Sequence, residues 1–328
     1  MFLKGTKKKT AKRRPVPVKY KARSGVVQFE SSDPIKVSAD RPPCKPSVLK
    51  ENHAKHSNLC ALHAGDWCSR VAPIDVDVLT LMSGRLYAFD KFIAGLKALE
   101  YPKDRLHLIW YTNSDNPAFL CLATSTILSL SKDGYDIRFM ADPSIRPTHH
   151  ALREVQPEDD TTLLDHADVI SNLYNRALSL TTRNVFFLED DIIPEPAALA
   201  RLLAMMESNP KAGYFCAAVN DRHSPRKFVH KMVQNDDGTY GGVEMPVAEM
   251  NGTKRIDLGG LACVLMRKSV IEKLGNPIMK MWPPSCLPPS LFSGCDIVLC
   301  YEMENHGIER LCDFGIQALH IRSDGVAV

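Results

Sequence analysis

The chain has 328 residues, 45% of them hydrophobic, enough for a sizeable core in one large or two modest domains. No stretch approaches the ~18 consecutive apolar residues of a membrane span, the opening MFLKGTKKKT lacks an apolar leader core, and neither a Walker loop nor a GxGxxG fingerprint occurs, which sets aside P-loop and ordinary dinucleotide chemistry. A net charge of +3 conceals a basic tail on an acidic body, and most of the ten cysteines lie in apolar segments such as YFCAAV and LACVLM, as reduced core cysteines do, so a soluble protein of a reducing cytoplasm is expected.

Residues 1–23 carry Lys4, Lys7, Lys8, Lys9, Lys12, Arg13, Arg14, Lys19, Lys21 and Arg23, while all 38 acidic residues lie beyond them. Such a block is expected to be disordered alone and to suit a polyanion, either nucleic acid or anionic lipid; a solubilising leader is the plainer reading. Sequence through residue 45 stays Pro-rich, like a tail or linker. Around residues 46–71 come Cys44, His53, His56, Cys60, His63 and Cys68. Their spacing, Cys60-x2-His63-x4-Cys68 included, is compatible with a tetrahedral zinc site but matches no named finger, and a histidine-rich linker with buried cysteine is the alternative.

From residue 72 to 328 the pattern is that of a folded domain. PIDVDVLTLMSG reads as a strand ending in a small-residue loop, and RLYAFDKFIAGLKALE has helical spacing. RLHLIWYTNSDN is a second strand with a polar end, PAFLCLATSTILSL a helix, YDIRFMADP a third strand and ADVISNLYNRALSLTT a further helix. The next strand, VFFL, has no polar face and runs straight into Glu189-Asp190-Asp191. Beyond it, GYFCAAVNDR is a strand, the turn-rich residues 223–245 an excursion or flap, and IDLGGLACVLMRKSVIEKL a strand then a helix. A Pro- and Trp-rich loop holding Trp282, the helix of GCDIVLCYEMENHG and the strand-like DFGIQALHI complete the chain. Alternating strands and helices imply α/β architecture with parallel βαβ units.

Three adjacent carboxylates repel one another and resist desolvation, so Glu189, Asp190 and Asp191 at the C-terminal end of a buried strand suit a hard divalent cation carrying phosphate. The bland alternative is a solvated acidic turn before the helix that Pro194 and Pro196 open.

The order of motifs resembles the GT-A-fold glycosyltransferases, most closely the large inverting family of nucleotide-sugar enzymes. PIDVDVLTLMSGR stands where that family has its nucleotide-receiving strand, and SNLYNRALSLTTRNVFFLEDD where it has a helix with Asn or Arg before a DxD motif. DLGGLACVLMRKSV occupies the place of a Gly-Gly strand, GCDIVLCYEMENHG that of an acidic pair opening a helix, and ALHI that of a final His. The chain departs from the pattern in the acidic motif itself and in Cys295-Asp296, where only Asp296 remains acidic; no QxxRW follows, which speaks against a processive synthase.

The resemblance covers about residues 72–322 and implies a Rossmann-related, mostly parallel sheet flanked by helices, Mn²⁺ or Mg²⁺ as cofactor, and a nucleotide-sugar donor, UDP-sugar foremost. It implies a metal held by Glu189, Asp191 and His320. Asp190, Ser83, Arg85, Asn113, Asp115, Asn175, Arg176, Gly259 and Gly260 then fall on the donor side, and Asp296 becomes the general base. Each has an ordinary reading beside it: strand-end histidine for His320, exposed helix arginine for Arg176, turn residues for Asn113 and Asp115, and helix N-cap for Asp296. Trp282 suits stacking on a sugar or base, or plain loop packing.

For the acceptor, the basic arm favours a modified base in DNA, with a lipid-linked glycan at an anionic membrane as the runner-up. A nucleic-acid-binding protein with an inactive transferase-like domain is the reading from a different class.

Overall fold

A computed structural model describes residues 27–29, 73–145, 160–220, 227, 229–234, 240–280 and 294–328. The arm at residues 1–23, the candidate zinc residues and Trp282 lie outside the described residues. In chain order the elements are β1 (Val27–Phe29), β2 (Val76–Leu81), α1 (Leu86–Ala98), β3 (Leu106–Thr112), α2 (Pro117–Lys132), β4 (Asp136–Ala141), α3 (Asp160–Leu178), β5 (Asn184–Leu188) and β6 (Ile192–Pro194). They continue with α4 (Ala198–Ser208), β7 (Ala212–Ala217), β8 (Val229–Gln234), β9 (Tyr240–Glu244), β10 (Thr253–Arg255), β11 (Leu258–Gly259), β12 (Cys263–Met266), α5 (Lys268–Leu274), α6 (Cys295–Asn305), β13 (Glu309–Asp313) and β14 (Ala318–His320).

The main sheet has the order β1-β4-β3-β2-β5-β12-β7-β13-β10. The β4-β3-β2-β5 block is parallel, as is the β7–β13 pair. The α/β class expected from the sequence is the one observed, with a mostly parallel centre and helices on both faces.

Strand β5 explains its own lack of a polar face. Val185 and Phe187 enter one core, with Leu173, Tyr174 and Ala177 of α3 and Leu299 and Met303 of α6. Phe186 and Leu188 enter the other, with Phe89, Phe92 and Leu96 of α1, Phe119 of α2 and Leu199 and Leu202 of α4. A strand covered on both sides has no solvent face to alternate with.

One expectation needs correction. IDLGGLACVLM is not one strand: β11 belongs to a three-stranded flap with β8 and β9, and β12 follows a bend at 260–262. Strand β12 then runs antiparallel between β5 and β7, because no crossover helix separates it from β7 to restore the direction. Val27–Phe29 pairs antiparallel with β4, whose backbone groups would otherwise form an open sheet edge.

Asp77 ties β2 to the turn that leads into β5. Its buried carboxylate accepts the backbone N–H groups of Thr182 at 2.6 Å and Arg183 at 3.0 Å, and the Arg183 guanidinium at 3.0 Å. Asp77→Ala strands these donors and is expected to cost about 2–3 kcal/mol, read as a lower urea midpoint at unchanged slope.

Candidate functional site

The parallel strands β2, β3, β4 and β5 all end at one edge of the sheet, and the polar residues that follow them gather there. After β2 the chain turns sharply through Ser83-Gly84-Arg85. Gly84 has φ +84°, a left-handed conformation that favours glycine, and a Cβ there would stand 3.0 Å from Ser114 Oγ.

After β5 come Glu189, Asp190 and Asp191, and then β6. The helix-capping alternative does not describe them, since α4 starts only at Ala198, its N-cap is Ala197 and it has no side-chain cap. Strand β6 pairs antiparallel with β14, with His320 opposite Ile192, and the Ile321 N–H donates to the Asp191 carbonyl at 2.8 Å. That pairing carries His320 across 129 residues of sequence to place its Nε2 3.2 Å from Asp191 Oδ2.

One donor atom from each of Glu189, Asp191 and His320 lies within 4.8 Å of the others. Ligands about 2.1–2.4 Å from an ion can stand up to about 4.8 Å apart across it. The His320 ring is oriented by its other nitrogen, 3.1 Å from the Asn220 carbonyl, to which Nδ1–H donates. With the proton assigned there, Nε2 turns a lone pair toward a carboxylate oxygen, and two acceptors face each other. A cation between them, or a second proton on the ring, reconciles the pair. Two carboxylates and an imidazole in this arrangement could hold a divalent cation such as Mn²⁺.

Asp190 has a different task. Its Oδ2 accepts from the Ser83 N–H and Oγ–H, both at 2.7 Å, and its Oδ1 from Arg85 Nη1 at 2.7 Å. The same Arg85 nitrogen lies 3.1 Å from Asp191 Oδ2. Burial pushes the Asp190 carboxyl above its ordinary range, with Arg85 pulling it down and Asp191 pushing it up. Burial opposes the charge on Arg85, yet Asp191 and then Asp190 outweigh it, so its proton is held more firmly than in water.

Asn113 is buried after β3, whereas Asp115 is exposed beyond it. Asn175 and Arg176 of α3 are committed elsewhere. The Asn175 amide oxygen accepts from Ile278 N–H at 3.0 Å and Met279 N–H at 2.9 Å, and its NH₂ donates to the Met279 carbonyl at 2.8 Å. Arg176 pairs closely with Asp142. Asp142, which the sequence reading passed over, directly follows β4 and also accepts from Tyr111 Oη at 2.6 Å and from Ser144 Oγ and N–H. Burial raises the Asp142 carboxyl, but the Ser144, Tyr111 and Arg176 donors prevail and hold it below its ordinary range. Burial, then the bond to Asp142, push the Tyr111 phenol up to about 12. The available signal was the strand-ending Asp142-Pro143 at the same edge as Asn113.

Asp296 lies in the first turn of α6 but is not its N-cap, a position held by Gly294. Its Oδ1 accepts the Ile297 N–H at 3.0 Å and stands 2.6 Å from where a Gly294 Cβ would be, so glycine makes room for the carboxylate. Burial pushes its pKa up, against backbone donors that pull it down. Tyr174 is pushed up by burial and then by the charges of Glu189, Cys295, Asp296 and Asp190, which puts it in the field of both the acidic cluster and Asp296. Gly259 of β11 accepts from Cys300 Sγ at 3.5 Å, and the Gly260 carbonyl accepts from Tyr214 Oη, which ties these glycines to α6, the helix that carries Asp296, and to β7.

No protein-family model matches the sequence, and no match was found among curated proteins. Among solved structures, the chain resembles a mannosyltransferase from Pyrobaculum calidifontis in complex with GDP-Man and Mn²⁺ at 12% identity and TM-score 0.38, over 64% of this chain and 51% of that one. It resembles GalNAc-T7 with UDP, GalNAc and Mn²⁺ at 8% identity and TM-score 0.49, over 76% and 44%, and the 1–349 fragment of S. aureus TarS at 11% and 0.40, over 70% and 55%. The chain thus spans about half the length of these structures. Its own strand order and strand-end cluster define an α/β fold that gathers carboxylates and a histidine at the C-terminal end of a parallel strand. Among the described residues, no helix is long and apolar enough to cross a membrane.

Proposed function

We propose that the chain is a metal-dependent glycosyltransferase that moves a sugar from a nucleotide donor to an acceptor hydroxyl. The observation that carries this reading is the meeting of Glu189, Asp191 and His320 within 4.8 Å at the ligand-binding edge of the sheet. These three would hold Mn²⁺ or Mg²⁺, which when bound neutralises charge on the departing nucleoside diphosphate. Ser83, Arg85, Asn113 and Asp115 at the same edge are assigned to the donor, for which a UDP-sugar is the first choice. Asp190 fixes Arg85, while Asn175 holds the backbone of Ile278 and Met279 and Arg176 holds Asp142.

Asp296 accepts the acceptor's proton. As the hydroxyl oxygen bonds to the anomeric carbon, the bond from that carbon to the diphosphate oxygen breaks, and its electron pair leaves with the diphosphate. Attack opposite the leaving group inverts the anomeric centre. The test is slow Mn²⁺-dependent release of nucleoside diphosphate from UDP-, GDP- or TDP-sugars. No release and no donor binding with any of them overturns the assignment.

The acceptor we infer is a modified, hydroxyl-bearing base in DNA, on the strength of the arm at residues 1–23, whose cations release condensed counterions on meeting a duplex. Deleting residues 1–23 is expected to weaken duplex binding and flatten its salt dependence while leaving donor hydrolysis in place. Binding to anionic vesicles without salt-sensitive DNA affinity would transfer the reading to a lipid-linked acceptor.

A further inference from the structure

Arg85 stands in a position that the metal reading alone does not explain. Its Nη1 contacts Asp190 Oδ1 at 2.7 Å and Asp191 Oδ2 at 3.1 Å, and that second oxygen is the one 3.2 Å from His320 Nε2. A monovalent cation therefore already lies against a carboxylate that a divalent ion would use. The guanidinium is not free to retreat, because Asp190 is buried, its other oxygen is occupied by Ser83, and withdrawal would leave its charge uncompensated. An ion on Asp191 must share the site with Arg85, a few ångströms away in a medium that screens poorly.

We propose that Arg85 makes metal capture conditional on the diphosphate. Alone, the divalent ion meets the guanidinium's positive charge and binds weakly. A diphosphate brings negative charge to both cations at once, and Arg85 has N–H donors beyond the one on the carboxylates with which to receive it. Arg85 is thus a positioning residue that couples the two ligands, and linkage requires each to tighten the other by the same factor. The inference rests on the metal assignment of Glu189, Asp191 and His320 and concerns the order in which that site fills.

Mn²⁺ binding to the full chain, followed through the EPR signal of the free ion, provides a readout independent of turnover. In wild type we expect weak binding of Mn²⁺ alone, tightened about 10–100-fold by UDP or GDP, within or near the usual range of such couplings. Arg85→Gln should bind Mn²⁺ alone at least about fivefold more tightly than wild type while losing affinity for the nucleotide in EDTA; Arg85→Lys, which keeps the charge, should not gain Mn²⁺ affinity. Equal Mn²⁺ affinity in wild type and Arg85→Gln overturns the inference and leaves the metal site standing. If neither binds Mn²⁺, with or without UDP or GDP, the metal assignment falls and the inference with it. Should Arg85→Gln fail to fold with Asp190 unpaired, the comparison moves to Asp190→Asn, where adding Arg85→Gln must raise Mn²⁺ affinity over the single variant. No rise there is equally decisive against the proposal.

Discussion

Asp191→Asn is expected to weaken Mn²⁺-supported donor binding by at least about 100-fold while leaving the fold intact. Its carboxylate is fully buried, so truncation to alanine would combine a lost ligand with a cavity, and asparagine isolates the charge. The backbone role of Asp191 survives the change, because Ile321 N–H bonds to its carbonyl and not to its side chain. His320 therefore stays where β14 puts it. What disappears is the negative charge shared by Arg85, His320 and the ion, and a ligand replacement should cost at least the 10–100-fold typical of changes to groups that only support ligands. Isothermal titration with UDP or GDP in saturating Mn²⁺ measures it, beside a circular-dichroism melt. Near-native, metal-dependent donor affinity in a folded Asp191→Asn protein would remove Asp191 from the metal site.

The main sheet and its acidic end were legible because burial leaves a direct mark on composition. Val185 to Leu188 carry no polar residue, and carboxylates immediately after such a run stand out. Strand direction leaves no such mark: β12 is as apolar as a parallel strand, and its reversal depends on the missing crossover before it. Val27–Phe29 was hidden for the opposite reason, as three residues in a stretch of Ser, Gly and acidic residues acquire strand structure by pairing with β4. At the site, Asp190 and Asp191 are adjacent in sequence yet have separate tasks, which are set by Ser83 and Arg85 more than a hundred residues earlier. Local sequence cannot carry that division. His320 was within reach only through the resemblance to a known motif order, whereas Asp142 ended a recognisable strand and its network with Tyr111 and Arg176 depended on register.

Asp296→Asn is expected to lower turnover by about 10²–10⁴ with donor affinity little changed, because asparagine keeps the shape and can still accept the Ile297 N–H but cannot take up the acceptor's proton. The environment makes a second, independent demand. Burial raises the Asp296 pKa in the folded protein, so over the interval above the ordinary Asp range the folded state binds more protons than the unfolded one. Its contribution to stability is therefore greatest below the unfolded pKa and declines as pH rises through the folded value. The group must be ionised to act as base. The acid limb of kcat/KM should accordingly lie above the pH at which an exposed aspartate titrates and should vanish from the residual activity of Asp296→Asn. Steady-state profiles of both proteins, with donor binding followed separately by titration, check the two demands together. Unchanged turnover, or an acid limb that persists unaltered in the variant, would return Asp296 to a structural role in the first turn of α6 and leave the proton to another group.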